Sequence, residues 1–175
     1  MDEAELSRAF PSGDGACLEA VIARYGQALL RYCHHILCDY HEAQDAVQDA
    51  LLRAWSRRNR FRAGTNLEAW LYKLAYHACI DLLRQRRRQL FAPPTPSGYN
   101  PDYIGPELRA ALSVLTLEER GLVFGRVMEG RSYEELSQIY GPSAVALRKR
   151  YERARKKLAL ALSESELDEQ KEVVP

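Results

Sequence analysis

The sequence predicts an all-α protein made of two small helical domains joined by a proline-rich linker. Apolar residues recur at three- and four-residue spacing through most of the 175 residues, and no stretch alternates for long as a strand does. Five of the eight prolines fall between residues 89 and 106, where the helical spacing stops. A short helix, a glycine-containing turn and a long basic helix follow, which is the pattern of a helix-turn-helix.

Composition excludes several classes of protein. Hydrophobic residues make up 46% of the chain and charged residues 28%, so a folded core can form. No apolar run approaches the length of a membrane span, and the acidic N-terminus lacks the apolar segment of a secretory signal. Four cysteines in a chain of this length do not make a disulfide scaffold. We therefore expect a cytoplasmic protein without a membrane partner.

The net charge of +1 conceals a strong segregation of charge. Three clusters, 53–62, 84–88 and 148–157, hold 16 of the 25 basic residues. Acidic residues collect at the N-terminus, between residues 39 and 49, and between residues 164 and 172. This pattern predicts a polyanionic partner on some faces and a different partner on others.

The first domain is predicted to span residues 1–88 with three helices. The first begins near Gly15 and buries a stripe formed by Leu18, Ile22, Tyr25, Leu29, Tyr32 and Ile36. The second runs from about Glu42 to Trp55, with polar residues together on its outer face. The third runs from about Leu67 to Arg87, and Asn66 is the predicted N-cap.

The second domain is predicted at residues 107–162, after a linker at 89–106 and before an acidic tail at 163–175. Thr116 with Glu119 and Ser132 with Glu135 are spaced as capping boxes, which predicts helices over 117–128 and 133–140. Gly141 suits a helix end, and Ser143 suits the N-cap of a last helix that runs to about Leu162.

Two surfaces have the residue types of nucleic-acid interfaces. The N-terminal part of a helix in the major groove contacts base edges, which makes Ser143 to Lys149 the candidate reading residues. Three basic residues are expected to anchor or flank them: Arg150, Arg153 and Lys157. In the first domain, Trp70, Tyr76 and His77 accompany an arginine-rich loop. Aromatic rings beside arginines suit unpaired bases, which stack on the rings while the backbone follows the positive charge. Tyr72 is assigned to the core.

Two blocks of sequence resemble a known family. DAVQDALLRAW (Asp45 to Trp55) and AWLYKLAYHACIDLLRQRRR (Ala69 to Arg88) resemble region two of bacterial RNA polymerase sigma factors, above all the small extracytoplasmic-function group. GRSYEELSQIYGPSAVALRKRYERARKKL (Gly130 to Leu158) is similar to their region four. The two blocks occur in the same order and at the same separation as regions two and four in the family. The resemblance covers the chain except for the first dozen residues, the linker and the tail.

The resemblance implies a transcription initiation factor that catalyses no reaction and needs no cofactor. It implies docking on the clamp helices of the largest polymerase subunit, with the flap region as a second contact. The docking residues it implies are Asp45, Gln48, Asp49, Leu52 and Arg53. It further implies a linker that passes through the polymerase active-site cleft, and an anti-sigma protein as a partner.

The resemblance also divides promoter recognition between the domains. The residues implied to capture and open the minus-ten element as a single strand are Arg57, Arg58, Asn59, Arg60, Arg62, Asn66, Trp70, Lys73, Tyr76 and His77. The residues implied to read the minus-thirty-five element as duplex are Ser143, Ala144, Ala146, Arg148, Lys149, Arg150 and Arg153. Family members often carry Arg-Asn where this chain has Tyr76-His77.

Four alternatives stay open on the sequence. Asp45, Asp49 and Asp81 can be interpreted as the carboxylates of a metal-dependent nuclease, although no phosphate-binding loop or metal signature accompanies them. A metal sensor would use His34, Cys38 and His41, whose spacing matches no standard zinc site, and no metal ligand is predicted. The others are an ordinary helix-turn-helix regulator and a sigma-like adaptor that binds polymerase without selecting promoters.

Overall fold

The computed structural model describes residues 2–63, 65–88 and 104–172. Its helices are α1 (Glu3–Ala9), α2 (Gly15–Leu37), α3 (Tyr40–Ser56), α4 (Leu67–Arg88), α5 (Pro106–Ser113), α6 (Leu117–Val127), α7 (Tyr133–Tyr140) and α8 (Ala144–Glu172). Short 3₁₀ turns occupy Phe10–Ser12 and Arg58–Arg60. No strand occurs in the described residues, and the predicted all-α fold class is confirmed. Helices α1 to α4 form unit 1, and α5 to α8 form unit 2.

Unit 1 is built around α3, which packs against both α2 and α4. The buried face of α3 consists mostly of small side chains: Ala43, Ala46, Val47, Ala50 and Ala54. Because alanine is short, the flanking helices can approach closely and fill the core with their own large side chains. Tyr32 of α2 meets Tyr72 of α4 edge to face, with ring centroids 4.9 Å apart. The assignment of Tyr72 to the core is confirmed.

The N-terminal half of α2 differs from the predicted stripe. Ile22 is 45% exposed, and the residues buried in its place are Cys17 and Val21. The segment before the helix packs closely on this part of α2, since a Cβ on Gly13 would lie 2.6 Å from the Cβ of Cys17. The sequence pattern predicts neither α1 nor the turn at Phe10–Ser12. From the sequence alone, the larger apolar side chains Leu18 and Ile22 are expected in the core, each one position after the buried Cys17 and Val21.

Unit 2 is organised by α8, which packs against α5, α6 and α7. Leu147 and Ala154 of α8 are fully buried. Both predicted capping boxes are present, at the starts of α6 and α7. Gly141 adopts a φ of 95°, which favours glycine, and Ser143 caps α8 by accepting the Ala146 N–H at 3.3 Å. The helix α8 ends at Glu172, ten residues beyond the predicted end.

The predicted linker falls largely outside the described residues, because positions 89–103 are not part of them. The predicted domain limits therefore stay predictions. None of the helices in the described part of the chain combines the length and apolar character that crossing a bilayer requires.

The capping boxes predict acid sensitivity. Burial acts to raise the pKa of Glu119, but hydrogen bonds from Lys157 and Thr116 lower it overall. The Ser132 N–H lowers the pKa of Glu135. Because both pKa values are depressed by folding, their stabilisation is complete above the unfolded pKa and is lost as pH falls through the folded one.

We expect the free energy of unfolding to fall on acidification from about pH 5 to pH 3, by a few tenths of a kcal/mol per cap, because solvent screens the exposed Glu135 and the partly exposed Glu119. Urea unfolding followed by circular dichroism would measure it. The double variant Glu119→Gln, Glu135→Gln keeps the caps but cannot ionise, so its stability should change less over this interval. An unchanged pH dependence in that variant would contradict this account.

Candidate functional site

One candidate surface is the outward side of α3, which we call the α3 face: Asp45, Gln48, Asp49, Leu52 and Arg53. The spacing of these residues places them on one side of the helix. Asp45 and Gln48 are exposed, and Leu52 is 60% exposed. An exposed leucine surrounded by charged and amide groups is typical of the centre of a protein docking surface.

Arg53 differs from its neighbours on the α3 face because its guanidinium already forms ion pairs within unit 1. It holds Asp49 through two contacts, of 2.6 and 2.9 Å, and donates from Nη1 to Asp81 of α4 at 2.8 Å. The hydrogen bond to Asp81, followed by those to Asp49, raises the pKa of Arg53. This network joins α3 to α4. It leaves Asp45, Gln48 and Leu52 as the groups on the face that are open to a partner.

Asp81, considered in the sequence as a member of a nuclease carboxylate cluster, is bound to Arg53 and lies 3.9 Å from Arg84. No group of three or more His, Cys, Asp or Glu side chains suited to a metal ion occurs in the described residues. His34 is buried with its ring against Tyr40, Cys38 ends α2 in a left-handed conformation, and His41 is exposed.

A second surface combines the basic loop, residues 57–66, with one side of α4. Six polar side chains of the loop are exposed: Arg57, Asn59, Arg60, Arg62, Thr65 and Asn66. On α4, Lys73 and His77 are exposed, and Tyr76 is half-buried with its ring 5.8 Å from that of His77. Unit 1 thus brings the predicted basic and aromatic groups to neighbouring elements, the loop and the helix that directly follows it.

Two side chains of this surface that were predicted to contact DNA, Arg58 and Asn66, make contacts within unit 1. The guanidinium of Arg58 lies 4.1 Å from the ring centroid of Trp55 and donates to the Trp55 carbonyl at 3.0 Å. Asn66 accepts the Ala69 N–H at 2.9 Å, which confirms the predicted cap of α4. The structure therefore assigns both side chains an internal role, and their contact with DNA stays a prediction.

Trp70 belongs to an aromatic cluster that was not predicted. Phe10 is fully buried, and its ring lies 6.0 Å from Trp70, 6.0 Å from Phe61 and 6.4 Å from Trp55. Phe61 comes from the basic loop, so the turn at the N-terminus anchors this loop against α3 and α4. Trp70 is half-buried here rather than fully presented to solvent. The sequence signal was present, since Phe10 is an isolated aromatic residue before a proline.

We expect Phe10→Leu to destabilise unit 1 while leaving unit 2 unaffected. Leucine keeps the apolar character but loses the edge-to-face contacts, so the free energy of unfolding should fall by about 1 kcal/mol. Both tryptophans lie in unit 1, so urea unfolding followed by tryptophan fluorescence isolates this effect. The substitution Phe124→Leu in unit 2 is the matched control and should leave the fluorescence transition in place.

The third surface is the helix-turn-helix formed by α7 and α8. Arg148, Lys149 and Arg153 are exposed on α8, and Ala144 and Ala146 are half-buried beside the cap Ser143. Arg150 differs, because it forms an ion pair with Glu118 at the start of α6. Its predicted flanking contact with DNA competes with that pair. Val145, between the two alanines, is 66% exposed and lies within the predicted reading segment, Ser143 to Lys149.

Comparisons with known proteins agree on one family. The model of sigma-70 region 2 matches residues 21–89. The RNA polymerase sigma factor CarQ of Myxococcus xanthus is 31% identical, over 91% of this chain and 97% of that protein. The ECF RNA polymerase sigma factor SigM of Mycobacterium tuberculosis is 28% identical, over 91% of this chain and 84% of that protein.

Two solved structures share the fold. The sigma factor RpoE of Bartonella quintana, crystallised with the anti-sigma factor NepR, matches with a TM-score of 0.68 and 25% identity, over 83% of this chain and 96% of that one. CnrH, solved with the cytosolic domain of CnrY, matches with a TM-score of 0.73 and 24% identity, over 92% and 97% of the two chains.

Proposed function

This chain belongs to the extracytoplasmic-function group of RNA polymerase sigma factors, which are non-enzymatic transcription initiation factors. On that basis, we propose which partner each of its surfaces binds. The observation that supports the division is the contrast within unit 1. The α3 face is acidic and apolar, whereas the basic loop and α4 present cations and aromatic rings. Surfaces this different suit different partners.

The α3 face docks on the clamp helices of the polymerase largest subunit. Leu52 enters an apolar site on the clamp, and Asp45 and Gln48 contact polar groups around it. Arg53 acts indirectly, because its bonds to Asp49 and Asp81 hold the carboxylates in place. A side chain fixed in this way loses less conformational freedom on binding than a free one does.

The basic loop and the outer side of α4 bind the opened non-template strand of the minus-ten element. Arg57, Arg60 and Arg62 provide the positive charge that follows the phosphates, and Tyr76 and His77 provide rings for stacking. Each stacked base contributes about 1–3 kcal/mol, so two of them offset much of the cost of opening a few base pairs. Trp70 supports this surface from the aromatic cluster.

Unit 2 reads the minus-thirty-five element as duplex and also meets the flap region. The exposed N-terminal part of α8 enters the major groove, with Arg148 and Lys149 nearest the base edges and Arg153 near the phosphates. Lys157 and Arg150 face away toward Glu119 and Glu118 of α6. Their role is to hold α8 against α6.

An anti-sigma protein restrains the factor in the cytoplasm until a signal releases it. The related structures named above contain NepR and the cytosolic domain of CnrY, respectively. Exposed apolar side chains on both units support such a partner here, because a masking protein needs apolar contacts: Ile22, Leu52, Val127 and Met128.

Selection from a pool of random single-stranded DNA tests the proposal. Core polymerase carrying this chain should enrich one short motif that core polymerase without it does not. The variant Arg62→Ala should weaken enrichment, whereas Arg31→Ala, an exposed arginine of α2, should not. Enrichment equal for the two variants would argue against the basic loop, and no enrichment by the wild type would argue against single-strand recognition.

A further inference from the structure

Tyr133, the first residue of α7, joins three helices of unit 2 through its ring. The guanidinium of Arg126 in α6 lies 4.6 Å from the ring centroid, and that of Arg148 in α8 lies 5.3 Å from it. The ring of Tyr151, also in α8, meets it edge to face at 6.2 Å. Neither the sequence patterns nor the family resemblance singles out this residue.

Arg126 and Arg148 differ in how strongly contacts within unit 2 restrain their guanidinium groups. Arg126 donates from Nη1 to the carbonyl of Arg131, and its Nε is buried without a hydrogen-bond partner in the described residues. The Arg131 carbonyl and the ring of Tyr133 thus both stabilise its cation. Arg148 is exposed, and the ring is the contact that limits where its guanidinium can lie.

We infer that Tyr133 is a positioning residue for promoter reading: its ring holds the guanidinium of Arg148 in the orientation that meets a base edge. The inference rests on the proposed reading of the minus-thirty-five duplex by α8. An arginine has many rotamers, and fixing them before DNA arrives removes part of the ordering cost of binding. A bidentate contact with guanine depends on the plane of the guanidinium, so orientation affects base preference more than general DNA affinity.

The arrangement also concentrates positive charge. Arg126 and Arg148 share one ring, so their charges lie close together at the start of α7. The Arg131 carbonyl also holds Arg126, whereas Arg148 is exposed. Of the two cations at this ring, Arg148 is therefore the one that can reach DNA.

The test uses holoenzyme assembled from core polymerase and the full chain. Promoters differing only at the base pair that Arg148 reads would be compared by the ratio of transcript from the preferred base to transcript from the others. We expect Tyr133→Leu to lower that ratio about fivefold, since leucine fills space but offers no ring to a cation. Tyr133→Phe keeps the ring and should retain the wild-type ratio.

The outcomes separate this inference from the proposed function. If Arg148→Ala abolishes the base preference and Tyr133→Leu keeps it, the inference is wrong and the reading role of Arg148 stands. If Arg148→Ala keeps the full preference, the proposed role of Arg148 fails first. A purely structural role for Tyr133 would lower stability or core binding without changing the ratio.

A measurement on the wild-type chain covers the case in which Tyr133→Leu does not fold. The ring current of a stacked tyrosine should shift the Arg148 side-chain protons upfield in the NMR spectrum, relative to those of the exposed Arg109. Tyr133→Phe should preserve the shift. Arg148 protons at ordinary positions in the wild type would overturn the inference.

Discussion

Leu52→Asp is expected to weaken binding of the chain to core RNA polymerase by at least about 100-fold. In the free protein this side chain is exposed, so the substitution should not harm the fold. In the complex it would bury a carboxylate without a partner at the centre of the docking surface, which costs several kcal/mol. Titration of fluorescently labelled chain with core polymerase would measure the dissociation constant.

Leu160→Asp provides the matched control. Leu160 is 62% exposed, close to Leu52 in exposure, but it lies on α8 in unit 2. The same chemical change there should leave core affinity within about twofold. Wild-type affinity in Leu52→Asp would mean that the α3 face is not the docking surface. Asp49→Arg is a poorer test, because it would also break the ion pair between Asp49 and Arg53, and Arg53 joins α3 to α4 through Asp81.

Arg148→Ala is expected to reduce transcription from promoters that depend on the minus-thirty-five element by about 10- to 100-fold. The loss of a bidentate base contact costs about 1–3 kcal/mol. Core binding should be retained, because docking on the clamp helices uses the α3 face in unit 1 and Arg148 is assigned to DNA rather than to the flap region. Run-off transcription with saturating core polymerase would separate the two steps.

Arg109→Ala, which removes an exposed arginine from α5, controls for the general loss of positive charge in unit 2. It should lower promoter use only slightly and equally for all promoters. If Arg148→Ala instead abolished core binding, or left promoter use unchanged, the assignment of α8 to duplex reading would be wrong.

The sequence predicted helix ends correctly where a single capping side chain or glycine sets the local backbone conformation. Ser132 and Glu135 give the start of α7, Gly141 gives its end, and Ser143 gives the start of α8. Each of these acts on the backbone within three residues, so its effect can be deduced from the sequence without knowledge of the tertiary structure.

The sequence could not indicate which side chains the tertiary fold would use. Ile22 was expected in the core, but Cys17 and Val21 are buried there instead. Arg58 and Arg150 were expected at DNA, but Trp55 and Glu118 hold them. These partners are brought in by packing between elements, and charge clusters in the sequence do not distinguish an arginine bound internally from one that is open to DNA.

Transcription from a fragmented genome tests the central claim most directly. Core polymerase with and without this chain would be supplied with the fragments, and the 5′ ends of the new RNAs would be mapped. We expect new start sites that share two upstream elements at a fixed spacing, one read by each unit. Formation of a complex with core polymerase but no new start sites would contradict promoter selection and favour an adaptor, and no complex at all would contradict the account as a whole.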